Sequence, residues 1–391
     1  MSADAYIPLC EPHLGGREQE YVKDCLDTGW VSSVGAYVDR FEAMLADYTG
    51  CAGAVACVNG TSAIHTALLV AGVRPGDEVI TSTLTFIAPV NAIRYAGAWP
   101  VLMDAEARHW QMDVDLVVEF IENGCEQRDG AVWNRRTGRR VSAIVPVHIL
   151  GHPVNLPLLL AVAKKHGLPV IEDATESLGS LCHGRPVGSL GNLGCFSFNG
   201  NKLLTTGGGG MIVTNNEAMA KAAKHLTTQA KCSATEFIHD QVGYNYRLTN
   251  VQAAMGCAQM ERIDEHIASK RRIAGSYRQA FAGHPHIRLF QNAEWARNCE
   301  WLFTLSFRDL PPGLDRVVIQ QKLHERKIGA RPLWQPMHLS PAHQDLGYVE
   351  CPVADALYGH ALSLPCSVGL TEDQQARVIE ALLDILPTAK H

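Results

Sequence analysis

No stretch of about 18 uninterrupted apolar residues occurs in this chain, so a membrane-spanning helix is not expected. The opening residues 1–14 hold Asp4, Pro8, Glu11 and Pro12 and lack a basic flank followed by an apolar run, so they do not read as a signal peptide. Charge of one sign is never concentrated. The 34 basic and 40 acidic side chains are interspersed and sum to −6, which argues against nucleic acid as the main partner. Twelve cysteines are scattered from Cys10 to Cys366, and none shows the C-x-x-C spacing of a zinc knuckle or redox pair. They read as small apolar thiols of a reducing, cytoplasmic setting. A G-x-G-x-x-G fingerprint between a first strand and helix is also missing, which disfavours a nicotinamide dehydrogenase. Internal repeats and low-complexity tracts are absent.

What is present is a chain of 391 residues with 47% apolar content, enough for two domains. Between about residues 54 and 215, strand-like runs at 78–81, 100–104, 143–148, 169–173, 194–198 and 211–214 alternate with helical patterns at 61–71 and 157–166. Such alternation predicts an α/β layer with a mostly parallel sheet covered on both faces. The segment 126–140, with five arginines and two glycines, reads as an exposed excursion. After residues 243–250 one long helix is expected, with Met260, Ile263 and Ile267 on its apolar face. It would lead into a smaller α+β domain with a strand near 301–307, a helix near 316–326 and a last helix opened by the Thr371/Gln374 capping box. The division expected is 1–250 and 251–391.

Four short segments carry chemistry. Residues 195–210 deliver Ser197, then Lys202, then four consecutive glycines. A phosphate is held by hydroxyls and exposed N–H groups, and a lysine in a restricted pocket can form a Schiff base, so both needs meet in one loop. The plain alternative is a solvated lysine on a glycine turn. Residues 168–179 form a buried-type strand ending in Asp173 with Glu176 after it, at the edge where parallel sheets place ligands. Glu172 should point to the opposite side of that strand. A strand-end aspartate is also a common turn residue or helix cap. Gly60, Thr61 and Ser62 open an amphipathic helix, which makes either a phosphate seat or an ordinary capped start. Phe86 follows a strand and either lies on a flat cofactor or belongs to the core. His148 and His152 lack a third ligand, and a glycine and a proline interrupt any helix between them; they read as strand-end residues lining a pocket, and no metal is expected.

The order of these pieces resembles the DegT-type (DegT/StrS) nucleotide-sugar aminotransferases, a branch of the fold-type I pyridoxal-phosphate enzymes, nearly end to end from Ile7-Pro-Leu to the last helix. The resemblance implies a large domain with a seven-stranded-type sheet and pyridoxal 5'-phosphate as cofactor. Lys202 would be the Schiff-base lysine and, once released, the general acid–base. Asp173 would pair with the pyridine nitrogen. Glu176 would sit near the ring hydroxyl where the family often has glutamine, and would need to be protonated or to face a donor. Gly60, Thr61, Ser62 and Ser197 would hold the phosphate, and Phe86 would stack on the ring. Asn245, in Gly243-Tyr-Asn-Tyr-Arg-Leu-Thr-Asn, would reach the phosphate of the neighbouring subunit in a homodimer with shared sites; by itself that segment is a turn and a capped helix. His148, Arg331, Trp334 and His338 would face the nucleotide sugar, although the 328–338 stretch alone is an exposed loop. L-glutamate would be the amino donor. Glu176 and the glycine run look closest to the branch making UDP-4-amino-4,6-dideoxy-N-acetylglucosamine, on the path to bacillosamine or legionaminic acid. An enzyme acting on GDP-4-keto-6-deoxymannose, of the perosamine type, is the alternative. A non-catalytic cofactor-binding regulator would keep the lysine pocket and lose the loop from Arg331 to His338.

Overall fold

The computed structural model describes residues 5–233, 235–347 and 349–387; the first four residues of the start and the last four of the C-terminal domain expected from sequence lie outside them. Strands β1 (Gly53–Cys57), β2 (Glu78–Ser82) and β3 (Trp99–Met103) are followed by a hairpin of β4 (Cys125–Arg128) and β5 (Ala131–Asn134), then by β6 (Arg140–Val145) and β7 (Ile171–Asp173). Two short strands, β8 (Leu181–Cys182) and β9 (Arg185–Pro186), precede β10 (Leu193–Ser197) and β11 (Gly210–Thr214). Hydrogen bonding joins β3-β2-β6 in parallel, and bridges at Ile144–Val170 and Val147–Asp173 continue the layer to β7 and β10. β11 runs antiparallel between β10 and β1. The result is a seven-stranded sheet, β3-β2-β6-β7-β10-β11-β1, with one reversed strand.

Its two faces follow from alternation along the strands. Val55, Cys57, Leu193, Cys195 and Ile212 join Ile64 and Leu68 of the helix Gly60–Val70 in one buried cluster. The intervening Ala56, Phe196, Met211 and Val213 pack with Phe41 and Leu45 of the helix Ala36–Thr49 and with Ala254 and Cys257 of the helix Asn250–Met260. Each such aliphatic or aromatic side chain contributes roughly 1.5–3 kcal/mol when fully buried. Covering both faces fixes the strand ends that carry the site.

The segment 126–140 is ordered as the β4–β5 hairpin, and β5 pairs with the start of β6. The single helix expected after residue 250 is two: Asn250–Met260 and Ile263–Phe281, separated where Arg262 leaves helical geometry at ψ 12°. A second, antiparallel sheet has the order β12 (Ile287–Leu289), β14 (Phe303–Phe307), β16 (Ala361–Leu364), β15 (Arg331–Pro332), while β13 (Ala296–Arg297) joins β8 and β9. The helix Arg316–Glu325 flanks this sheet, and the helix Glu372–Ile385 begins with the Thr371/Gln374 capping box. The N-terminal segment pairs with this part of the chain: Ile7 exchanges backbone bonds with Lys327 and Gly329, and Cys366 N–H donates to Leu9 O at 2.8 Å. No helix among the described residues is long and apolar enough to cross a membrane.

Candidate active site

A cavity of about 310 Å³ opens where the C-terminal ends of β7 and β10 meet the start of the helix Gly60–Val70. Gly60 has to be glycine there, since a Cβ would stand 2.8 Å from Ser197 Cβ and 3.3 Å from Thr175. Gly210 brings β11 equally close: a Cβ on it would lie 2.5 Å from the Asn59 carbonyl. Asn59 caps the helix by accepting from Ser62 N–H at 2.8 Å. The positive helix end therefore reaches the cavity through Gly60 and Thr61, beside the Ser197 hydroxyl, in an arrangement suited to a phosphate. Ser62 is buried and lies outside the lining; its N–H closes the cap.

Lys202 projects into the same cavity from a turn closed by its N–H donating to Asn199 O at 3.0 Å. Its Nζ lies 3.6 Å from Glu176 Oε1 and 4.1 Å from the centre of the Trp301 ring. The Trp301 indole N–H donates to Asn201 O at 2.8 Å, and Trp334 lies parallel to Trp301 with ring centres 6.2 Å apart. Phe86 stands on the rim, 53% exposed.

Asp173 ends β7 just beneath the cavity and is 2% exposed. It accepts from Thr175 N–H at 3.1 Å, and no cation stands within ion-pair distance of it among the described residues. Burial raises its acid above the usual aspartate range, against the Thr175 bonds and the Lys202 charge. A carboxylate so placed gains from a protonated ring nitrogen above it. Glu176 meets the condition that its position imposes: burial pushes it up to about 7, and it faces a donor, the Leu150 N–H at 2.9 Å. Leu150 presents that N–H from a left-handed conformation, φ 59°, which costs a non-glycine residue free energy and is held by its packing. Anion seat, lysine, flat aromatic walls and buried carboxylate together fit pyridoxal 5'-phosphate.

Glu172 points away from Asp173 and accepts from the N–H groups of Gly188, Leu190 and Gly191 at 2.6–2.7 Å. The sequence reading of His148 as pocket-lining is corrected here. Its ring is fully buried, Nδ1 accepts from Val154 N–H at 3.0 Å and Nε2 donates to Glu172 at 3.1 Å, so it locks the loop behind β7. His152 is likewise engaged, with Ala293 N–H at 3.0 Å and Pro153 O at 2.8 Å. Trp334 lines the cavity, whereas Arg331 is exposed outside it and His338 is tied to Thr83 at 2.7 Å and Asp355 at 3.0 Å. Asn245 is exposed on a backbone bridge to Thr228, away from its own chain's cavity. Sequence reasoning missed Trp301, Thr175 and Asn201 as wall residues. Asn201, next to the lysine, and Thr175, between Asp173 and Glu176, carried a local signal; Trp301 carried none.

Comparison with known proteins agrees with this geometry. The family model described as the DegT/DnrJ/EryC1/StrS aminotransferase family matches residues 12–383. The chain is 39% identical to the GDP-perosamine synthase of Caulobacter vibrioides, over 99% of this chain and 100% of that protein. It is 36% identical to the GDP-perosamine synthase of Escherichia coli O157:H7, over 96% and 98% respectively. The crystal structure of a DegT DnrJ EryC1 StrS aminotransferase from Brucella abortus superposes with a TM-score of 0.86 at 25% identity, covering 95% of this chain and 96% of that one.

Proposed function

Because the chain belongs to the DegT/DnrJ/EryC1/StrS aminotransferase family, we propose that it moves an amino group from L-glutamate to the keto carbon of GDP-4-keto-6-deoxymannose. It is a pyridoxal-phosphate-dependent nucleotide-sugar aminotransferase. The observation carrying the GDP reading is the full-length similarity to proteins named GDP-perosamine synthase. The UDP-linked N-acetyl sugar suggested by Glu176 and the glycine run is the weaker reading, since two of the full-length relatives carry the GDP name.

Pyridoxal phosphate, when bound, supplies the aromatic electron sink. The chain does the rest. Gly60, Thr61 and Ser197 anchor the phosphate, Phe86 and Trp301 wall the ring, and Asp173 keeps the pyridine nitrogen charged. Lys202 attaches the cofactor and afterwards carries a proton on Nζ to and from the carbon that gains or loses the amine. Trp301 and Glu176, within about 4 Å of that nitrogen, restrict where it stands. A second copy of the chain completes each site, with Asn245 reaching the partner's phosphate. Exposed apolar residues such as Trp30, Val34, Phe237 and Val242, 57–91% accessible in the single chain, supply surface for that contact.

The deciding experiment is glutamate-dependent amination of GDP-4-keto-6-deoxymannose beside UDP-2-acetamido-2,6-dideoxy-hexos-4-ulose and a dTDP-4-keto-6-deoxy sugar. The GDP compound should lead in kcat/KM by at least about tenfold, the lower end of what a few differing polar contacts provide. Preference for either other nucleotide would overturn the proposed substrate and leave the aminotransferase assignment intact.

A further inference from the structure

Behind the wall of the cavity, on the side away from the phosphate seat, a buried lysine joins two thiols. Lys270 sits in the helix Ile263–Phe281 and is 1% exposed. Its Nζ donates to Cys366 O at 2.6 Å, to Trp301 O at 2.8 Å and to Cys10 Sγ at 3.4 Å, with Cys366 Sγ at 3.7 Å. Three protons thus meet two carbonyls and a sulfur. Burial works against the charge on Lys270, yet Cys10 and Cys366 outweigh it and its pKa is raised. An amine held in this way is a permanent cation facing two sulfurs.

The two cysteines differ. Cys366 is 1% exposed and Cys10 is half-buried, so a small solute reaches Cys10 first. Their backbones are adjacent, joined by the Cys366 N–H to Leu9 O bond of 2.8 Å, and both sulfurs lie against Lys270 Nζ, at 3.4 and 3.7 Å. A hydrogen bond from Cys366, reinforced by the charges of Lys270 and Lys202, outweighs burial and lowers Cys10 to about 6, while Cys366 is pushed well above the ordinary thiol range. Cys10 is thus the stronger acid of the two thiols and Cys366 the weaker. In its thiol form Cys10 faces Asn201 O at 3.3 Å, one residue from Lys202.

We propose that Cys10, Cys366 and Lys270 form a hydroperoxide-reactive thiol site, in which Cys10 is the attacking sulfur, Cys366 the resolving thiol and Lys270 the fixed cation. The Cys10 thiolate attacks one oxygen of hydrogen peroxide, forming an S–O bond as the O–O bond breaks; hydroxide leaves and becomes water with the proton that the Cys10 thiol gave up on ionising. Cys366 sulfur then attacks Cys10 sulfur, the S–O bond breaks, and hydroxide departs with the Cys366 proton as water. Two thiols lose two electrons, and one peroxide becomes two waters. Such transient disulfides suit a reducing compartment, where a thiol donor restores both cysteines.

The test treats the cofactor-loaded enzyme with one equivalent of hydrogen peroxide, blocks the remaining thiols and maps peptides without reductant. The expected product is a Cys10–Cys366 linked peptide lighter than the sum of its parts by two hydrogens and separated by dithiothreitol. In Cys366→Ser, dimedone should instead label Cys10, which separates attack from resolution even if one variant folds poorly. Alkylation of Cys10 by iodoacetamide should level off above about pH 6, as its lowered pKa requires. Alkylation of a free small-molecule thiol measured alongside should keep accelerating toward about pH 8.5. Oxidation of Cys232 ahead of Cys10 would overturn the proposal. So would a Cys10–Lys270 link retaining one oxygen, or a Cys10 profile that parallels that of the free thiol.

Discussion

Glu176 offers a perturbation whose size follows from its surroundings. The carboxyl is 5% exposed, accepts one backbone hydrogen bond from Leu150 at 2.9 Å and stands 3.6 Å from Lys202 Nζ. Burial outweighs both and raises the group from 4.5 to about 7. The folded chain thus holds this proton more tightly than the unfolded chain does. Its contribution to stability is complete below about pH 4.5 and is lost as the pH rises through about 7. At about 1.4 kcal/mol per pH unit between the two values, the loss is about 3 kcal/mol. Glu176→Gln keeps an oxygen for the Leu150 N–H and cannot ionise, so this loss disappears. Urea unfolding of cofactor-free protein from pH 4.5 to 8 measures it. The variant should gain about 3 kcal/mol over the parent across that range, most of it between pH 5 and 7. Parallel stability curves for parent and variant would refute the buried, proton-holding carboxylate.

Lys202→Ala should lose amination by at least about 100-fold, because a positioned acid–base group contributes that much or more; borohydride should fix cofactor to the parent and not to the variant, and a variant with full turnover would remove Lys202 from the chemistry. Asp173→Asn should keep cofactor and fall on the order of 100-fold in kcat, as when one preorganised electrostatic partner is removed. An unimpaired Asn variant would leave the ring nitrogen without an assigned partner, since Glu172 is committed to the 188–191 loop. Mixing Lys202→Ala with Asn245→Asp should restore activity above either parent, because a mixed dimer with shared sites has one intact site; no recovery after demonstrated subunit exchange would confine Asn245 to its own chain.

The parts of the site legible from sequence lie where one short segment holds both the structural and the chemical signal. Ser197, Lys202 and the glycines belong to one strand-to-loop passage, and Asp173 ends a strand of buried residues. Trp301 lies about a hundred residues from Asn201 and meets it only through tertiary folding, so nothing local marks its role. The β4–β5 hairpin was hidden by its chemistry. Its alternation is genuine, but the buried positions of β5 are Val132 and the polar Asn134, which donates to buried Glu78 at 2.7 Å. On the other face the Arg128 guanidinium lies 4.2 Å from the centre of the Trp133 ring. An arginine-rich segment with a buried amide looks like a loop to any pattern based on apolar period. The break at Arg262 escaped for the opposite reason: Met260, Ile263 and Ile267 keep helical spacing across it and are all buried. His148 looked available because it follows a strand at the edge where ligands gather; here Glu172, on the neighbouring strand β7, engages it.

The distribution of charge around the cavity also orders the cofactor within it. Donors concentrate at one end, where the helix start at Gly60 and Thr61 meets Ser197, and an anion placed there gains from the helix dipole and from oriented N–H groups. Buried acid concentrates at the other, where Asp173 and Glu176 are both raised by burial before anything binds. A phosphorylated pyridine lying the wrong way round would set its phosphate against two buried carboxyls and its ring nitrogen against a helix N-terminus, both repulsive in a low-dielectric pocket. In the other orientation the helix start would hold the phosphate, Asp173 the ring nitrogen and Lys202 the aldehyde carbon. On the proposed assignment the two acids would together fix the direction in which the cofactor enters, and Asp173 would also hold the nitrogen charge that the amino transfer needs. This role predicts that Asp173→Asn and Glu176→Gln combined should leave a larger fraction of the bound cofactor beyond borohydride fixation to Lys202 than the two single changes multiplied, because either acid alone still opposes the reversed phosphate.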